Sequence, residues 1–306
     1  MVELDYIATE QRNENTSNID SKSVHEMVRL MNEEDKKVAF AVEKELDKIA
    51  KASEVIYEQI RKGGRLIYIG CGTSGRLGIL DAVECPPTFG TDPELIQAII
   101  AGGTEAIFRA KEGAEDDEQE GRKDLEKIHF CEKDVLVGLA ASGRTPYVLG
   151  AMVYAKRMGA PIIAVTCCPD SAIDKMADIG ITPMPGPEVI TGSTRLKSGT
   201  AEKMVLNMIS TTVMIQMGKV YGNLMVDVKA TNEKLLERTV RIVKTCTNAT
   251  DGEARRVLEE CEYSAKVAIV MILMGVGSKE AKELLEEKNG RIQEILKTGK
   301  NMETVI

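Results

Sequence analysis

The sequence predicts an α/β protein: a doubly wound, five-stranded parallel sheet with a helical N-terminal segment and an all-helical C-terminal module. Three observations predict it. Five short, nearly continuous apolar runs are separated by stretches long enough to hold helices, the pattern of strands covered on both faces. Turns rich in Gly, Ser and Thr follow these runs, where sheets of this kind bind ligands, beyond the carboxyl ends of the strands. Finally, residues 232–306 carry only helical periodicity.

In chain order, residues 1–20 read as a polar arm, too poor in apolar side chains to form a core alone. Residues 23–60 read as helix. Val38, Val42, Leu46, Ile49, Ile56 and Ile60 recur at helical spacing and form one apolar stripe, with Asn32 a candidate N-cap and Gly63-Gly64 as the stop. The strand candidates are residues 65–70, 95–100, 134–141, 161–166 and 180–183. Residues 199–217 read as a long buried helix in which Met204, Met208, Met214 and Met217 pack the core. The last 50 or so residues resemble a three-helix module, with Gly275-Val276-Gly277-Ser278 as a turn and Ser278 as an N-cap. The expected division is an arm with helices over residues 1–56, a sheet domain over 57–220 and a helical region over 221–306.

Composition excludes several classes of function. The formal net charge is -8, unlike the basic footprint of a duplex-binding protein. Trp is absent, which leaves little for base stacking. No apolar run approaches the length of a membrane span, and the N-terminus lacks the blocks of a signal peptide. The seven cysteines are odd in number and show no paired metal spacing, so a reduced, cytoplasmic protein without metal is expected. A small anion is still an acceptable ligand, because a local cradle of N–H groups outweighs a global charge.

Three segments fit such a cradle. Gly70-Cys71-Gly72-Thr73-Ser74-Gly75 follows the first strand and matches G-x-G-x-x-G. A dinucleotide site also needs an acidic residue at the end of the second strand. Here that strand ends in Ala101-Gly102-Gly103, and the hydroxyls of Thr73 and Ser74 suit phosphate better. Ala141-Ser142-Gly143-Arg144-Thr145-Pro146 follows the third strand, and Ser142 and Thr145 again offer hydroxyls where a helix begins. Two such loops on neighbouring strands converge on one place, which an ordinary pair of tight turns does not require. The third segment, residues 188–200, brings Ser193, Thr194 and Lys197 to the start of the long helix. There a ligand contact and a plain helix cap weigh about equally.

His25 and His129 lie outside these loops and read as structural, so a Ser-His-Asp or histidine–metal mechanism has little support. Carboxylates remain. Glu84 stands before Pro86-Pro87, a pair expected to end its helix, and Glu115 opens the run Glu115-Asp116-Asp117, which by spacing alone reads as a solvated face. Periodicity does not select either.

The two Gly-Ser-Thr loops on a parallel sheet resemble the sugar isomerase (SIS) domain, a phosphosugar-binding fold. Longer motifs narrow the match: Thr9-Glu10-Gln11-Arg12-Asn13, residues 72–78, residues 84–90 (Glu-Cys-Pro-Pro-Thr-Phe-Gly), Glu112-Gly113-Ala114-Glu115-Asp116, residues 141–146, residues 191–197 and residues 221–227. Together they resemble the N-acetylmuramic acid 6-phosphate etherase family from the arm to the last helices. The resemblance implies elimination of D-lactate from the open-chain sugar, followed by addition of water. It implies that Glu84 protonates the departing lactate and Glu115 takes the C2 proton. Two like acids in opposite protonation states need different surroundings, so Glu84 is expected to be the less solvated. It implies phosphate on Thr73, Ser74, Ser142 and Thr145, no cofactor, and a homodimer. The rivals are a phosphosugar isomerase, which needs no acid for a lactyl group, and a non-catalytic sugar-phosphate sensor.

Overall fold

A computed structural model describes residues 8–228 and 233–302. Residues 1–7 of the expected arm, 229–232, and 303–306 of the expected final helix lie outside the described residues. By contact the chain groups into two units, one holding the residues up to Val83 with Pro93–Ser210, the other Glu84–Asp92 with Thr211 onward. The sequence suggests three segments instead. The second of the N-terminal helices contacts the last strand of the sheet.

In the first unit the arm is not extended. Three one-turn 3-10 helices, Ala8–Glu10, Glu14–Thr16 and Ile19–Ser21, fold it back on the chain. The Asn13 amide donates to the Pro187 carbonyl at 3.0 Å, and the Thr16 hydroxyl to that of Val189 at 2.9 Å. The expected single helix over residues 23–60 is two: α1, Val24–Glu43, and α2, Leu46–Arg61. The N-cap is Ser23, in a capping box with Glu26, and Asn32 lies inside α1. The break at Lys44-Glu45 shifts the helical phase, so Leu46 is 46% exposed while Val42, Ile49 and Ile56 are buried. It also frees the Glu45 carboxylate to accept the Thr182 amide at 3.0 Å, just past the last strand of the sheet.

Next come β1 (Leu66–Gly70), α3 (Gly72–Phe89), β2 (Ile96–Ile100), the short α4 (Glu105–Phe108), α5 (Glu118–Lys127), β3 (Val135–Leu139), α6 (Pro146–Met158), β4 (Ile162–Val165), α7 (Ala172–Met176), β5 (Ile179–Ile181) and α8 (Lys197–Gln216). All strand pairs are parallel, in the order β2-β1-β3-β4-β5. Alternation along each strand covers both faces. Ile67, Ile69 and Leu136 pack with Tyr147, Val148 and Met152 of α6. On the other face, Gly78 of α3 lies so close to Tyr68 and Leu139 that an added Cβ would stand 3.0 and 3.1 Å from them. The buried Tyr68 hydroxyl donates to Asp81 at 2.9 Å, and the Ser210 hydroxyl donates to the same carboxylate at 3.0 Å, tying α3 to β1 and α8. Burial pushes the Asp81 carboxyl up to about 6 against these two hydrogen bonds.

Two further expectations need correction. Pro86 and Pro87 do not end α3; the helix runs through them to Phe89, losing two ladder bonds but keeping its course. In α8 the core is built by Ala201, Val205, Leu206, Ile209, Val213 and Met214, while Met204, Met208 and Met217 are only half-buried.

The second unit contains a hairpin that sequence reasoning missed. β6 (Val220–Tyr221) pairs antiparallel with β7 (Leu224–Met225) across a turn in which Gly222 has φ +58°. Five helices follow: α9 (Glu233–Thr247), α10 (Asp251–Glu260), α11 (Ala265–Met274), α12 (Ser278–Glu287) and α13 (Ile292–Met302). Their core gathers Val243, Leu258, Ala268, Ile269, Leu285 and Ile295. Gly277, not Ser278, caps α12. Asp227 pairs with Lys219 at 2.9 Å and Lys266 at 2.6 Å, which gives the end of the Tyr221-to-Asp227 motif a structural role. No described helix is long and apolar enough to cross a membrane.

Candidate active site

The strand order places a topological switch point between β1 and β3: the chain leaves β1 toward β2 on one side and leaves β3 toward β4 on the other. Ligands of open α/β sheets bind in that crevice. The Thr73 and Ser142 loops both start there, because Gly70 and Leu139 are register partners at the carboxyl ends of the two strands.

Each loop folds as it does for a reason visible in its residues. A Cβ on Gly70 would come within 2.8 Å of the Gly75 amide nitrogen, so only glycine lets strand and helix meet this tightly. Gly143 has φ +68°, and an added Cβ would overlap the Ser171 side chain and approach the Thr166 hydroxyl at 2.8 Å. The turn thereby delivers Thr145 as N-cap of α6, with Pro146 at the first helical position. The Thr145 side chain makes no capping bond, and Thr73, Ser142 and Thr145 are not engaged as buried core groups: Ser142 and Thr145 are half-buried. The first turns of α3 and α6 add backbone N–H groups and the positive ends of two helix dipoles. An anion fits this set.

The third loop reaches the first through Gly199, where an added Cβ would stand 3.3 Å from the Thr73 methyl and 3.4 Å from the Thr194 carbonyl. Ser193 and Thr194 sit half-buried beside it. The end of α8 itself is already occupied by Glu188. Its fully buried carboxylate accepts the Lys197 and Ser198 amides at 2.9 Å each and the Ser198 hydroxyl at 2.8 Å. Lys197 therefore departs from its expected place among the ligand contacts. Its side chain is buried, and its ammonium donates to Glu34 of α1 at 2.7 Å and to the Pro185 carbonyl at 3.0 Å. Burial works to raise the Glu34 carboxyl, but hydrogen bonds from Lys197 and Lys37, joined by Asn15, bring it down to about 2.

Ser74 is buried, and its hydroxyl donates to Glu202 of α8 at 2.9 Å. Glu202 is 1% exposed, its second carboxyl oxygen has no partner, and burial pushes its carboxyl up to about 8 against the Ser74 bond. Sequence reasoning missed it. The available signal was a carboxylate three, four and seven residues before Val205, Leu206 and Ile209, on the buried stripe of an apolar helix.

Glu115 lies in a one-turn 3-10 helix, Ala114–Asp116, entered through Gly113 at φ +76°. Members of the acidic run do different things. Asp117 caps α5, accepting the amides of Gln119 and Glu120, and Glu115 lines a cavity of about 180 Å³ with Cys71, Gly72, Arg76, Lys111 and Glu112. Arg76 braces this wall, donating to the carbonyls of Ala106 at 2.6 Å and Ile107 at 2.8 Å. The Cys71 thiol is pushed up to about 11, first by burial and second by the charge of Glu115. Glu115 thus stands within electrostatic reach of the first phosphate-type loop. Glu84 stands late in α3, one turn from the exposed Leu80 and beside the exposed Val83. The expectation that Glu84 is the less solvated acid is corrected: Glu84 and Glu115 are both exposed in the single chain. All seven cysteines are free thiols.

Comparison with known proteins agrees with this geometry. Residues 120–214 match the SIS domain, and residues 48–156 match the glucokinase regulatory protein N-terminal SIS domain. A phosphoheptose isomerase from Francisella tularensis shares the fold, with a TM-score of 0.50 at 16% identity over 63% of this chain and 100% of that one. Among curated relatives, the N-acetylmuramic acid 6-phosphate etherase of Clostridium botulinum (strain Loch Maree / Type A3) is 56% identical over 97% of this chain and 98% of its own. That of Clostridium beijerinckii is 58% identical over 96% of each. Identity of this order along almost the whole length decides the matter: the chain is an enzyme of the N-acetylmuramic acid 6-phosphate etherase family, built on an SIS-type fold.

Proposed function

We propose that this chain cleaves the D-lactyl ether of N-acetylmuramic acid 6-phosphate, giving N-acetylglucosamine 6-phosphate and D-lactate, as a carbon–oxygen lyase. The observation that carries the reading is near-full-length identity above one half to relatives of that name. An isomerase or a sensor would need the same phosphate loops but no lactyl chemistry.

The phosphate binds the hydroxyls of Thr73, Ser74, Ser142 and Thr145 and the N–H groups at the starts of α3 and α6, with Ser193 and Thr194 toward the sugar. In the opened sugar the C1 carbonyl acidifies the C2 hydrogen. The Glu115 carboxylate takes that proton, and the electron pair moves into the carbonyl. The C3–O bond then breaks as Glu84, as a carboxylic acid, gives its proton to the departing lactyl oxygen. Water adds across the C2–C3 double bond, its hydroxyl to C3 and a proton to C2, which returns both acids to their starting states. The homodimer follows from the family resemblance alone, and the free thiols support a cytoplasmic setting.

The test is D-lactate release in deuterated water by wild type, Glu84→Gln and Glu115→Gln. Release by wild type, with C2 exchange kept in Glu84→Gln and lost in Glu115→Gln, is the expected outcome. A folded wild type that binds the sugar phosphate and releases no lactate would overturn the etherase reading; exchange that survives in Glu115→Gln would overturn the role of that base.

A further inference from the structure

Glu202 is a buried acid directly behind the phosphate loop, and the reaction proposed above assigns it no part. Its carboxyl oxygen lies 2.9 Å from the Ser74 hydroxyl, and its other oxygen is buried without a partner. Ser74 has one hydroxyl proton. If Glu202 is ionised, it is an acceptor only and holds that proton for itself. The Ser74 oxygen then turns only lone pairs toward the crevice, where a phosphate also offers only acceptors. Two acceptors with no proton between them repel, and a buried anion adds its own charge against the ligand. If Glu202 is a carboxylic acid, its O–H donates to the Ser74 oxygen, and the Ser74 O–H is released to the phosphate.

We propose that Glu202 must be protonated for Ser74 to donate to a bound phosphate, so that binding of the phosphosugar takes up one proton wherever the free protein holds Glu202 ionised. The proposal rests on the reading that the Ser74 loop holds the phosphate. Glu202 is thereby a positioning residue: it sets the direction of the Ser74 hydrogen bond and touches neither sugar nor phosphate. The step balances simply, since the carboxylate gains a proton from solvent when the anion arrives and returns it when the anion leaves.

The surroundings agree with this assignment. The group that α3 turns to the carboxyl is the neutral Ser74 hydroxyl. From the segment after β4 comes Cys167, whose thiol is raised well above its ordinary value by burial and then by Glu202, so it stays neutral. Cys168 and Glu188 bear on that thiol in turn, both raising it further. On α8 itself the Lys197 ammonium is committed to Glu34 and the Pro185 carbonyl, and Lys203 acts on Asp81. The raised carboxyl, at about 8, puts the change of state just above neutrality.

The experiment is calorimetric titration of wild type and Glu202→Gln with N-acetylglucosamine 6-phosphate across that range, in buffers of unlike ionisation enthalpy. The ligand phosphate, with a second pKa of about 6, is already a dianion there. Above the Glu202 transition the wild-type affinity should fall about tenfold per pH unit, because only the protonated fraction binds. Binding should take up a proton in wild type alone, and Glu202→Gln, neutral at every pH, should lack the fall. Equal pH profiles for the two proteins, or no proton uptake by wild type above the transition, would overturn the proposal. The uptake is read on the wild type, so it stands even if the variant folds badly. Lactate release measured alongside separates the two readings. Release with parallel pH profiles sinks the Glu202 proposal alone, while proton-linked binding without release sinks the etherase reading alone. A folded wild type that neither binds nor releases lactate sinks both.

Discussion

At the scale of single residues, the site is a set of acids given different roles by their neighbours. Glu188 closes the start of α8, Asp117 caps α5, Glu34 answers Lys197, and Glu115 faces a cavity beside Cys71. Sequence spacing cannot sort such a set, because the distinguishing partners are far away in the chain: Ser74 and Glu202 are 128 residues apart, and Lys197 and Glu34 are 163. The hydroxyls are easier to find, since Gly-rich strand-to-helix turns announce themselves locally. Cys71 offers a direct view of Glu115. Because the carboxylate charge helps hold this thiol up at about 11, Glu115→Gln should lower it and speed alkylation by iodoacetamide severalfold. Site-by-site mass spectrometry would read it, with Cys131 as the internal reference. An unchanged Cys71 rate would mean that the Glu115 charge does not reach the loop.

At the scale of elements, all five strands fall within the runs the sequence marks or at their edges, because a strand buried on both faces must be apolar at nearly every position. Helix boundaries are harder. The break at Lys44-Glu45 cannot be seen in the apolar spacing, which runs on through Leu46 although Leu46 is exposed; the partner that Glu45 meets there, the Thr182 amide, lies far along the chain. Pro86-Pro87 misleads for the opposite reason, since a strong local stop signal loses to the packing of α3. The hairpin of β6 and β7 has two-residue strands, too short to alternate visibly. Between α1 and α8 the buried Lys197–Glu34 pair is the joint to test. Lys197→Met should destabilise the protein by about 3 kcal/mol in urea unfolding, because it leaves Glu34 buried with less compensation. Adding Glu34→Gln should restore much of that loss; a double variant as weak as the single one would mean that packing, not charge, was lost.

At the scale of the whole molecule, the chain divides into two contact units, and the phosphate-type loops, Glu115 and Glu202 all belong to the first. Glu84 groups with the second, although α3 carries it. Local motifs identify the family because they are long and unusual, whereas the grouping depends on contacts that no single segment announces. The second unit keeps its own core and its own ion pairs around Asp227.

The docking of the N-terminal arm has a consequence for the order of events in folding. Asn13 and Thr16 bond to carbonyls 174 and 173 residues further along, so these contacts close very long loops. The residues synthesised first must wait for a segment synthesised much later. Such contacts belong after the rate-limiting barrier, where they slow escape from the native state without hastening arrival. The Asn13→Ala, Thr16→Ala double variant, losing two bonds of about 1 kcal/mol each, should unfold on the order of thirtyfold faster in stopped-flow experiments and refold at the wild-type rate. A slower refolding rate would place the arm in the nucleus instead.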